Sequence, residues 1–130
     1  MEDAAAAANI SPALLKAIVG IESHYNDKAK SRMGAIGLMQ LMPQTAASLG
    51  LNKESTRDPV ANLNAGALHL QKLLNRFSDL EMVIAAYLLG ENAFRNQIPQ
   101  KAMGYVQNIL LLYRYFDDPI KPVGVRLEEK

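Results

Sequence analysis

A repeated start signal for α-helices constrains this chain more than any other feature of its sequence. Ser11-Pro12 and Asp58-Pro59 each place a capping side chain directly before a proline at the first helical position. Pro43 opens a shorter helix, and a further helix is expected to follow Pro99. No stretch of useful length alternates polar and apolar residues with period two. The sequence therefore predicts an all-α fold.

Five helices are predicted from these starts, from apolar residues at helical spacing and from the glycines that follow. They are expected at 12 to about 25, 43–49, 59–77, 80–89 and about 100–116. Ser78 and Glu81 match a capping box for the fourth helix. The predicted apolar stripe of the third helix consists of Val60, Leu63, Ala67, Leu70, Leu74 and Phe77.

The segment 28–41 interrupts the helical order. Gly34 and Gly37 lie three residues apart there, which permits sharp turns or a close approach of the backbone to a ligand. A loop or a small β-hairpin is expected in this segment. The chain as a whole, 1–130, is predicted to form a single domain with its core at about 10–116. The tail, 117–130, is expected to lie along the surface or to fray.

Composition and charge exclude several classes of function. Hydrophobic residues make up 49% and charged residues 21% of the 130 residues, as in an ordinary globular domain. The net charge is +1 and the basic residues are scattered, so no nucleic acid is expected as a partner. The chain has no cysteine, which excludes thiolate chemistry. No apolar run reaches the roughly 18 residues of a transmembrane segment, and the acidic, alanine-rich start is not expected to be a signal peptide.

Glu22 is the residue of greatest chemical interest. It follows Val19 by three residues and Ile18 by four, so a helix places its carboxylate on the buried face. Burial and the negative end of the helix dipole both raise the pKa of such a carboxyl. An acid that stays protonated near neutral pH can donate its proton to a leaving oxygen. The alternative is a solvated acid, or one paired with Lys28 or Arg32.

The segment after Glu22 strengthens this interpretation. It reads Glu-Ser-His-Tyr-Asn over 22–26 and Ser-Arg-Met-Gly-Ala-Ile-Gly-Leu-Met-Gln-Leu-Met-Pro over 31–43. This pattern resembles the signature of the soluble lytic transglycosylase family, and the resemblance extends over roughly residues 10–116. It continues through Asp58-Pro59, Asn62, Gly66, Leu70, 85–87, Gly90 and Tyr105-Val106. The resemblance implies a lysozyme-like, all-helical fold with a groove for the glycan strands of peptidoglycan.

The resemblance also implies a reaction. The family cuts the β-1,4 bond between N-acetylmuramic acid and N-acetylglucosamine. By this likeness Glu22 protonates the glycosidic oxygen and then takes the proton of the sugar's C6 hydroxyl, whose oxygen closes onto C1 as a 1,6-anhydro end. Most glycoside hydrolases need two carboxylates, but a substrate that supplies its own nucleophile removes that need. Asp27, the next acid along the chain, is interpreted as a solvated turn residue.

Six residues are predicted to bind substrate, which are Ser31, Gly37, Met39, Gln40, Tyr87 and Tyr105. The resemblance implies that Gln40 hydrogen-bonds the glycan and that the two tyrosines hold the acid or a sugar hydroxyl. Met39 is expected, with Met42, on the groove floor. From the residues alone, Ser31 and Gly37 fit a turn, the methionines fit core filler and the tyrosines fit buried aromatics. Asn62 and Gly66 are expected to hold the fold.

Two positions depart from the family pattern. Leu88 stands where the family usually carries an asparagine near the glycan, and Lys101 stands where it often carries an acid. Two alternatives therefore stay open. One is a goose-type muramidase, which needs a second carboxylate such as Asp58 or Glu91. The other is a non-catalytic peptidoglycan-binding module of the same fold.

The remaining expectations concern ligands, partners and location. His24 and His69 have no partners at metal-ligand spacing, so both are interpreted as non-catalytic and no metal or cofactor is expected. The expected partner is the glycan strand of peptidoglycan, and cell-wall or secretion-system proteins are compatible further partners. The domain is expected to be a monomer in the periplasm or outside the cell.

Overall fold

Seven α-helices form the regular structure of the described residues, 1–91 and 97–117, in a computed structural model. They are α1 (Glu2–Ala8), α2 (Pro12–Ser23), α3 (Pro43–Ser48), α4 (Lys53–Arg57), α5 (Pro59–Arg76), α6 (Leu80–Leu89) and α7 (Gln100–Asp117). The all-α prediction is confirmed, and each of the five predicted helices is present within about two residues of its expected bounds. The predicted tail lies, from residue 118 onward, outside the described residues.

The helix starts follow the capping signals closely. The Ser11 hydroxyl oxygen accepts a hydrogen bond from the Leu14 N–H at 3.3 Å, and Asp58 accepts one from Ala61 at 2.9 Å. At α6 the predicted box of Ser78 and Glu81 is wrong by one position. The cap is Asp79, whose carboxylate accepts from the Glu81 N–H at 3.0 Å. An aspartate is favoured there because its charge also interacts well with the positive end of the helix dipole.

Two short helices, α1 and α4, were not predicted. In α4 the Asn52 side chain accepts from the Ser55 N–H at 2.8 Å, and the Ser55 hydroxyl accepts from the Asn52 N–H at 2.8 Å. This reciprocal cap was readable in the sequence as Asn-x-x-Ser. Helix α1 buries three alanines against the rest of the core and packs against α5. The small side chains of these alanines let the two helices approach closely. Such a contact cannot be predicted from a periodic pattern of large apolar residues.

Helix α2 lies at the centre of the core and packs chiefly against α7. Its Leu15, Ile18 and Val19 are fully buried. In α5 the predicted apolar stripe is confirmed at Ala67 and Leu70, which are buried. The prediction is wrong at Val60, which lies in the first turn and is 66% exposed. No single helix of the described residues is long and apolar enough to cross a membrane. Together, α1 and α2 have the length and apolar composition of a membrane-spanning segment, but a bend of 119° separates the two helices.

The loop between α2 and α3 is closed by two antiparallel bridges, Lys30 with Ile36 and Ile36 with Leu41. Of the two forms expected here, the structure therefore has the loop, and the described residues contain no strand. The loop is anchored to α5 by Asn62, which is fully buried. Its side-chain oxygen accepts from the Met39 N–H at 2.9 Å. Its amide nitrogen donates to the carbonyl oxygens of Ile36 and Thr56, each at 2.9 Å.

Gly66 lets the loop pack directly onto α5. A Cβ added at Gly66 would lie 2.4 Å from Cγ of Met39, which is fully buried. We expect Gly66→Ala to destabilise the fold by about 1–2 kcal/mol, because overpacking costs about 1–3 kcal/mol and the helix propensity of alanine returns up to about 1 kcal/mol. Urea denaturation measures the change in the free energy of unfolding.

Gly104→Ala is the matched control for that substitution. Gly104 is exposed in α7, and an added Cβ would meet nothing within 4 Å. The control is expected to stabilise the fold by about 0.5–1 kcal/mol, as alanine does relative to glycine within a helix. Equal effects of the two substitutions would contradict the proposed steric role of Gly66.

Candidate active site

Glu22 lies in the last turn of α2, and it lines a cleft of about 290 Å³. Helix α2 ends one residue later, because His24 and Tyr25 adopt left-handed backbone angles of φ 53° and 61°. The chain thereby turns away from the helix axis and leaves the Glu22 side chain at the edge of the core. The loop supplies one wall of the cleft, including Ser31 and Gln40, and α5 and α6 supply another.

The carboxyl group of Glu22 is largely removed from water. Burial raises its pKa from 4.5 to about 7, and the nearby Tyr105 hydroxyl lowers the pKa by a smaller amount. The alternative of an ion pair with Lys28 or Arg32 is wrong, since neither forms a salt bridge with Glu22 in the described part of the chain. A carboxyl with a pKa of about 7 is roughly half protonated at neutral pH. The raised pKa that the sequence predicts for Glu22 is therefore supported by its burial, and its role as the acid stays a prediction.

The raised pKa makes the stability of the protein depend on pH. Above pH 4.5 the unfolded chain releases the Glu22 proton while the folded chain retains it up to about pH 7. The folded state binds more protons in this window, so stability falls as the pH rises through it. The loss reaches about 3 kcal/mol above pH 7, at about 1.4 kcal/mol for each pKa unit.

Replacing Glu22 by glutamine is expected to remove this dependence. The stability of Glu22→Gln relative to the wild type should rise by about 3 kcal/mol between pH 4 and pH 8, since glutamine carries no proton to lose. Urea denaturation of both proteins at the two pH values measures the difference. A constant difference between the two proteins would show that Glu22 is solvated in the folded state.

Tyr105 and Tyr87 approach the acid from different helices. The Tyr105 hydroxyl, on α7, faces the Glu22 carboxyl. Burial raises the pKa of Tyr105, and the nearby carboxyl raises it further. The two groups do not reach the geometry of a full hydrogen bond. The Tyr87 hydroxyl, on α6, donates to the carbonyl oxygen of Met39 at 2.7 Å. Burial raises the pKa of Tyr87 well above 10. Both hydroxyls therefore stay protonated. Tyr87 is part of the cleft lining and Tyr105 is not, so contact of Tyr105 with substrate stays a prediction.

Ser31 and Gln40 both line the cleft and both also hold the loop. The Ser31 hydroxyl oxygen accepts from the Ala35 N–H at 2.9 Å. The Gln40 amide nitrogen donates to the carbonyl oxygens of Gly37 and Ala29, at 2.8 and 3.2 Å. A ligand in the cleft would therefore meet the hydroxyl proton of Ser31 and the side-chain oxygen of Gln40, and substrate contact by these residues stays a prediction.

Met39 and Gly37 lie behind the cleft surface. The Met39 side chain is fully buried against Gly66, so the expectation that it floors the groove is wrong, and of the two methionines only Met42 lines the cleft. Gly37 has φ +82°, and a Cβ there would lie 2.4 Å from the amide nitrogen of Asn62. Gly37 is therefore needed for the loop to pass over Asn62, and its expected contact with substrate is not part of the observed cleft lining.

Glu22 is the only acidic residue that lines the cleft among residues 1–91 and 97–117. Asp27 is exposed on the loop. The carboxylate of Asp58 caps α5, and the carboxylate of Glu91 pairs with Arg76. The described residues also contain no group of three His, Cys, Asp or Glu side chains placed to share a metal ion. Glu22 is thus the one carboxyl group that the described part of the cleft offers for acid–base chemistry.

Comparison with known proteins identifies the family. The profile of the Transglycosylase SLT domain family matches residues 1–109. The chain belongs to this family. It is 39% identical over 115 residues to a transglycosylase of Enterobacteria phage PRD1, a match that covers 85% of this chain and 42% of that protein. It is 34% identical over 129 residues to the soluble lytic murein transglycosylase of Escherichia coli strain K12, with 77% and 20% covered.

Solved structures confirm the lysozyme-like fold of this SLT domain. The 70 kDa soluble lytic transglycosylase of Escherichia coli superposes with a TM-score of 0.70 at 33% identity, over 82% of this chain and 22% of that chain. The lytic transglycosylase Slt of Pseudomonas aeruginosa shares the fold with a TM-score of 0.74 at 24% identity, over 88% and 23%. The chain thus spans less than half the length of each of these relatives.

The two departures of this SLT domain lie in different surroundings. Leu88 lines the cleft beside Tyr87, so an apolar side chain occupies part of the wall. Lys101 is exposed in the first turn of α7 and is not part of the cleft lining. The change at Leu88 therefore bears directly on what the cleft binds, while the change at Lys101 lies outside it.

His69 is a cleft residue that sequence reasoning missed. It projects from α5 into the cleft lining, and its ring lies 5.5 Å from that of Tyr87 at an interplanar angle of 45°. His69 has no partner at metal-ligand spacing in the sequence, which is why the sequence indicates a non-catalytic residue. The available signal was its place on α5, three residues after Gly66 and seven after Asn62 on one helix face.

Proposed function

We propose that this SLT domain is a peptidoglycan lytic transglycosylase that cuts the β-1,4 bond between N-acetylmuramic acid and N-acetylglucosamine. The observation that carries the proposal is the carboxyl group of Glu22, which lines the cleft and has a pKa of about 7. The relatives support the substrate class, since the phage protein is named a transglycosylase and the Escherichia coli protein a lytic murein transglycosylase.

The proposed reaction begins with protonated Glu22. Its proton passes to the glycosidic oxygen, the bond from that oxygen to C1 of the muramic sugar breaks, and the leaving sugar keeps a free 4-hydroxyl. Positive charge develops at C1 beside the newly formed carboxylate, which stabilises it. A low-water environment strengthens this interaction, because fewer water molecules screen the charges.

The same carboxylate then acts as the base. It takes the proton of the C6 hydroxyl as that oxygen bonds to C1, which yields the 1,6-anhydro ring and returns Glu22 to its protonated form. A pKa of about 7 suits both steps, since the group must give and receive a proton within one cycle. No second carboxylate and no attacking water are needed, in keeping with a cleft lining that holds one acid among the described residues.

Two alternatives make different products. A muramidase of goose type would add water and leave a reducing end, and it needs a second carboxylate across the cleft. A binding module would release nothing, and the apolar Leu88 in the cleft wall is the observation that favours it. The intact Glu22 with its raised pKa favours catalysis over a binding module, and a cleft lining with one acid among the described residues favours the transglycosylase over the muramidase.

Digestion of purified peptidoglycan tests the proposal. Mass spectrometry of the released fragments is expected to show anhydromuramic ends, which are lighter than reducing ends by one water molecule. Asp27→Asn is expected to leave both the rate and the product unchanged, since Asp27 is exposed on the loop. Reducing ends would establish a hydrolase instead, and an absence of fragments would establish a binding module.

The remaining expectations are carried as part of the proposal. A domain that acts on peptidoglycan works in the periplasm or outside the cell, and two relatives named membrane-bound lytic murein transglycosylase F support this location. We propose that the domain acts as a monomer without a cofactor. Further cell-wall or secretion-system partners stay a prediction.

A further inference from the structure

His69 lies at the point on α5 where the loop gives way to the cleft. Asn62, Gly66 and His69 share one face of α5, at spacings of four and three residues. Asn62 binds the loop backbone and Gly66 packs against Met39. The next position on that face, His69, lines the cleft. The face of α5 that holds the loop therefore ends in a side chain that lines the cleft.

The imidazole is held in place by a tyrosine that is itself fixed. Its ring lies against that of Tyr87, 5.5 Å between centroids, and the Tyr87 hydroxyl is anchored on the Met39 carbonyl oxygen at 2.7 Å. Tyr87 has thus already used its donor, and Leu88 beside it is apolar. On the wall formed by α5 and α6, the imidazole is the polar group that stays available within the described residues.

The charge state of His69 suits an uncharged ligand. Burial lowers the pKa of His69; Glu91 opposes this shift, and Lys72 adds to it. The imidazole is therefore neutral at pH 7, with one nitrogen that donates and one that accepts. Sugar hydroxyls and acetamido groups both donate and accept hydrogen bonds. A neutral imidazole beside an aromatic ring is well matched to them.

We propose that His69 is a substrate-binding residue whose imidazole hydrogen-bonds a hydroxyl or acetamido group of an amino sugar seated on the α5–α6 wall. The inference rests on the proposed function and specifies which wall holds the strand. His69 is not proposed to take part in proton transfer. Its contact is made equally in the ground state and the transition state, so its loss is expected to raise KM and to leave kcat unchanged.

Binding of a soluble, uncrosslinked glycan strand to the inactive Glu22→Gln protein tests this inference. Adding His69→Phe to that protein is expected to weaken binding about 3- to 10-fold, the effect of one neutral hydrogen bond. Adding His69→Gln instead is expected to keep most of the affinity, since its amide also donates and accepts. Isothermal titration calorimetry measures both, with circular dichroism to verify folding.

Two further variants separate hydrogen bonding from packing. Leu68→Phe places the same ring one residue earlier on α5, at a position 40% exposed, and is expected to leave binding unchanged. Leu88→Asn restores a polar group to the same wall and is expected to recover affinity in the His69→Phe protein. A loss in His69→Phe that glutamine does not relieve would assign the effect to packing against Tyr87 and overturn the inference.

The outcomes also distinguish this inference from the proposed function. If Glu22→Gln binds the strand and His69→Phe binds it equally well, His69 has no part in recognition and the inference alone fails. If Glu22→Gln does not bind the strand and the wild type releases no fragments, the proposed function fails and takes the inference with it. Weaker binding in His69→Phe that His69→Gln does not share, together with anhydro products from the wild type, supports both.

Discussion

Glu22→Gln is expected to release anhydro fragments from peptidoglycan at least about a thousandfold more slowly than the wild type. A positioned general acid or base contributes about 10²–10⁴ in rate. Here one carboxyl fills both roles, and no second acid among the described residues lines the cleft to replace it. Glutamine keeps the shape of the side chain but can neither give nor take a proton in this range. The rate of fragment release, followed by mass spectrometry, measures the loss.

The matched control for this loss is Asp27→Asn, which makes the same carboxyl-to-amide change five residues later at an exposed position. It is expected to keep the wild-type rate. Substantial activity in Glu22→Gln would show that another group supplies the proton and would remove the basis of the proposed mechanism. Activity lost in Asp27→Asn but kept in Glu22→Gln would place the acid on the loop.

In Glu22→Gln, the expected loss of activity and the expected gain in stability have the same physical cause. The same burial that keeps Glu22 protonated makes its anion unfavourable above pH 7. Glu22→Gln is therefore expected to be inactive and, at pH 8, more stable than the wild type. An unfolded protein would lose activity and stability together, so the pair of measurements separates a chemical effect from a structural one. Such a trade-off between stability and activity is typical of active sites that bury an ionisable group.

The helices could be predicted where their starts and their large apolar residues were visible. Ser11-Pro12 and Asp58-Pro59 fix the starts of α2 and α5 through local hydrogen bonds that need no distant partner. Helix α1 was missed because its buried residues are alanines, whose burial depends on the helix they meet. The predicted cap of α6 is wrong by one residue, because Ser78 and Asp79 both cap helices well and the capping-box spacing to Glu81 indicates Ser78.

The acid could be predicted from its helix face, but the rest of the cleft could not. Glu22 follows a regular stripe, so its burial is a local property of α2. Met39 lies in a loop without a period, and its burial is decided by Asn62 and Gly66, which come 23 and 27 residues later. The family resemblance placed Met39 near the glycan, and the structure shows that its backbone supports the cleft while its side chain fills the core.

Asn62→Ala is expected to be the most destabilising single substitution considered for this domain, at about 3–5 kcal/mol. It leaves the Met39 N–H and the Thr56 carbonyl oxygen without their partner. It also removes one of two hydrogen bonds from the Ile36 carbonyl oxygen, which still accepts from the Leu41 N–H. An unsatisfied buried group costs about 1–3 kcal/mol, and local rearrangement recovers part of the sum. Since domains unfold with about 5–15 kcal/mol, urea denaturation should show a large shift of the midpoint.

Asn64→Ala is the control, because Asn64 is exposed two residues further along α5 and should change stability by no more than about 0.5 kcal/mol. The substitution at Asn62 is also expected to reduce fragment release at temperatures where the protein stays folded. Met39 binds Asn62 through its N–H and Tyr87 through its carbonyl oxygen, so a loop freed from α5 no longer fixes the ring that faces the cleft. If Asn62→Ala weakened the fold and left the rate intact, the cleft would be held by α5 and α6 alone.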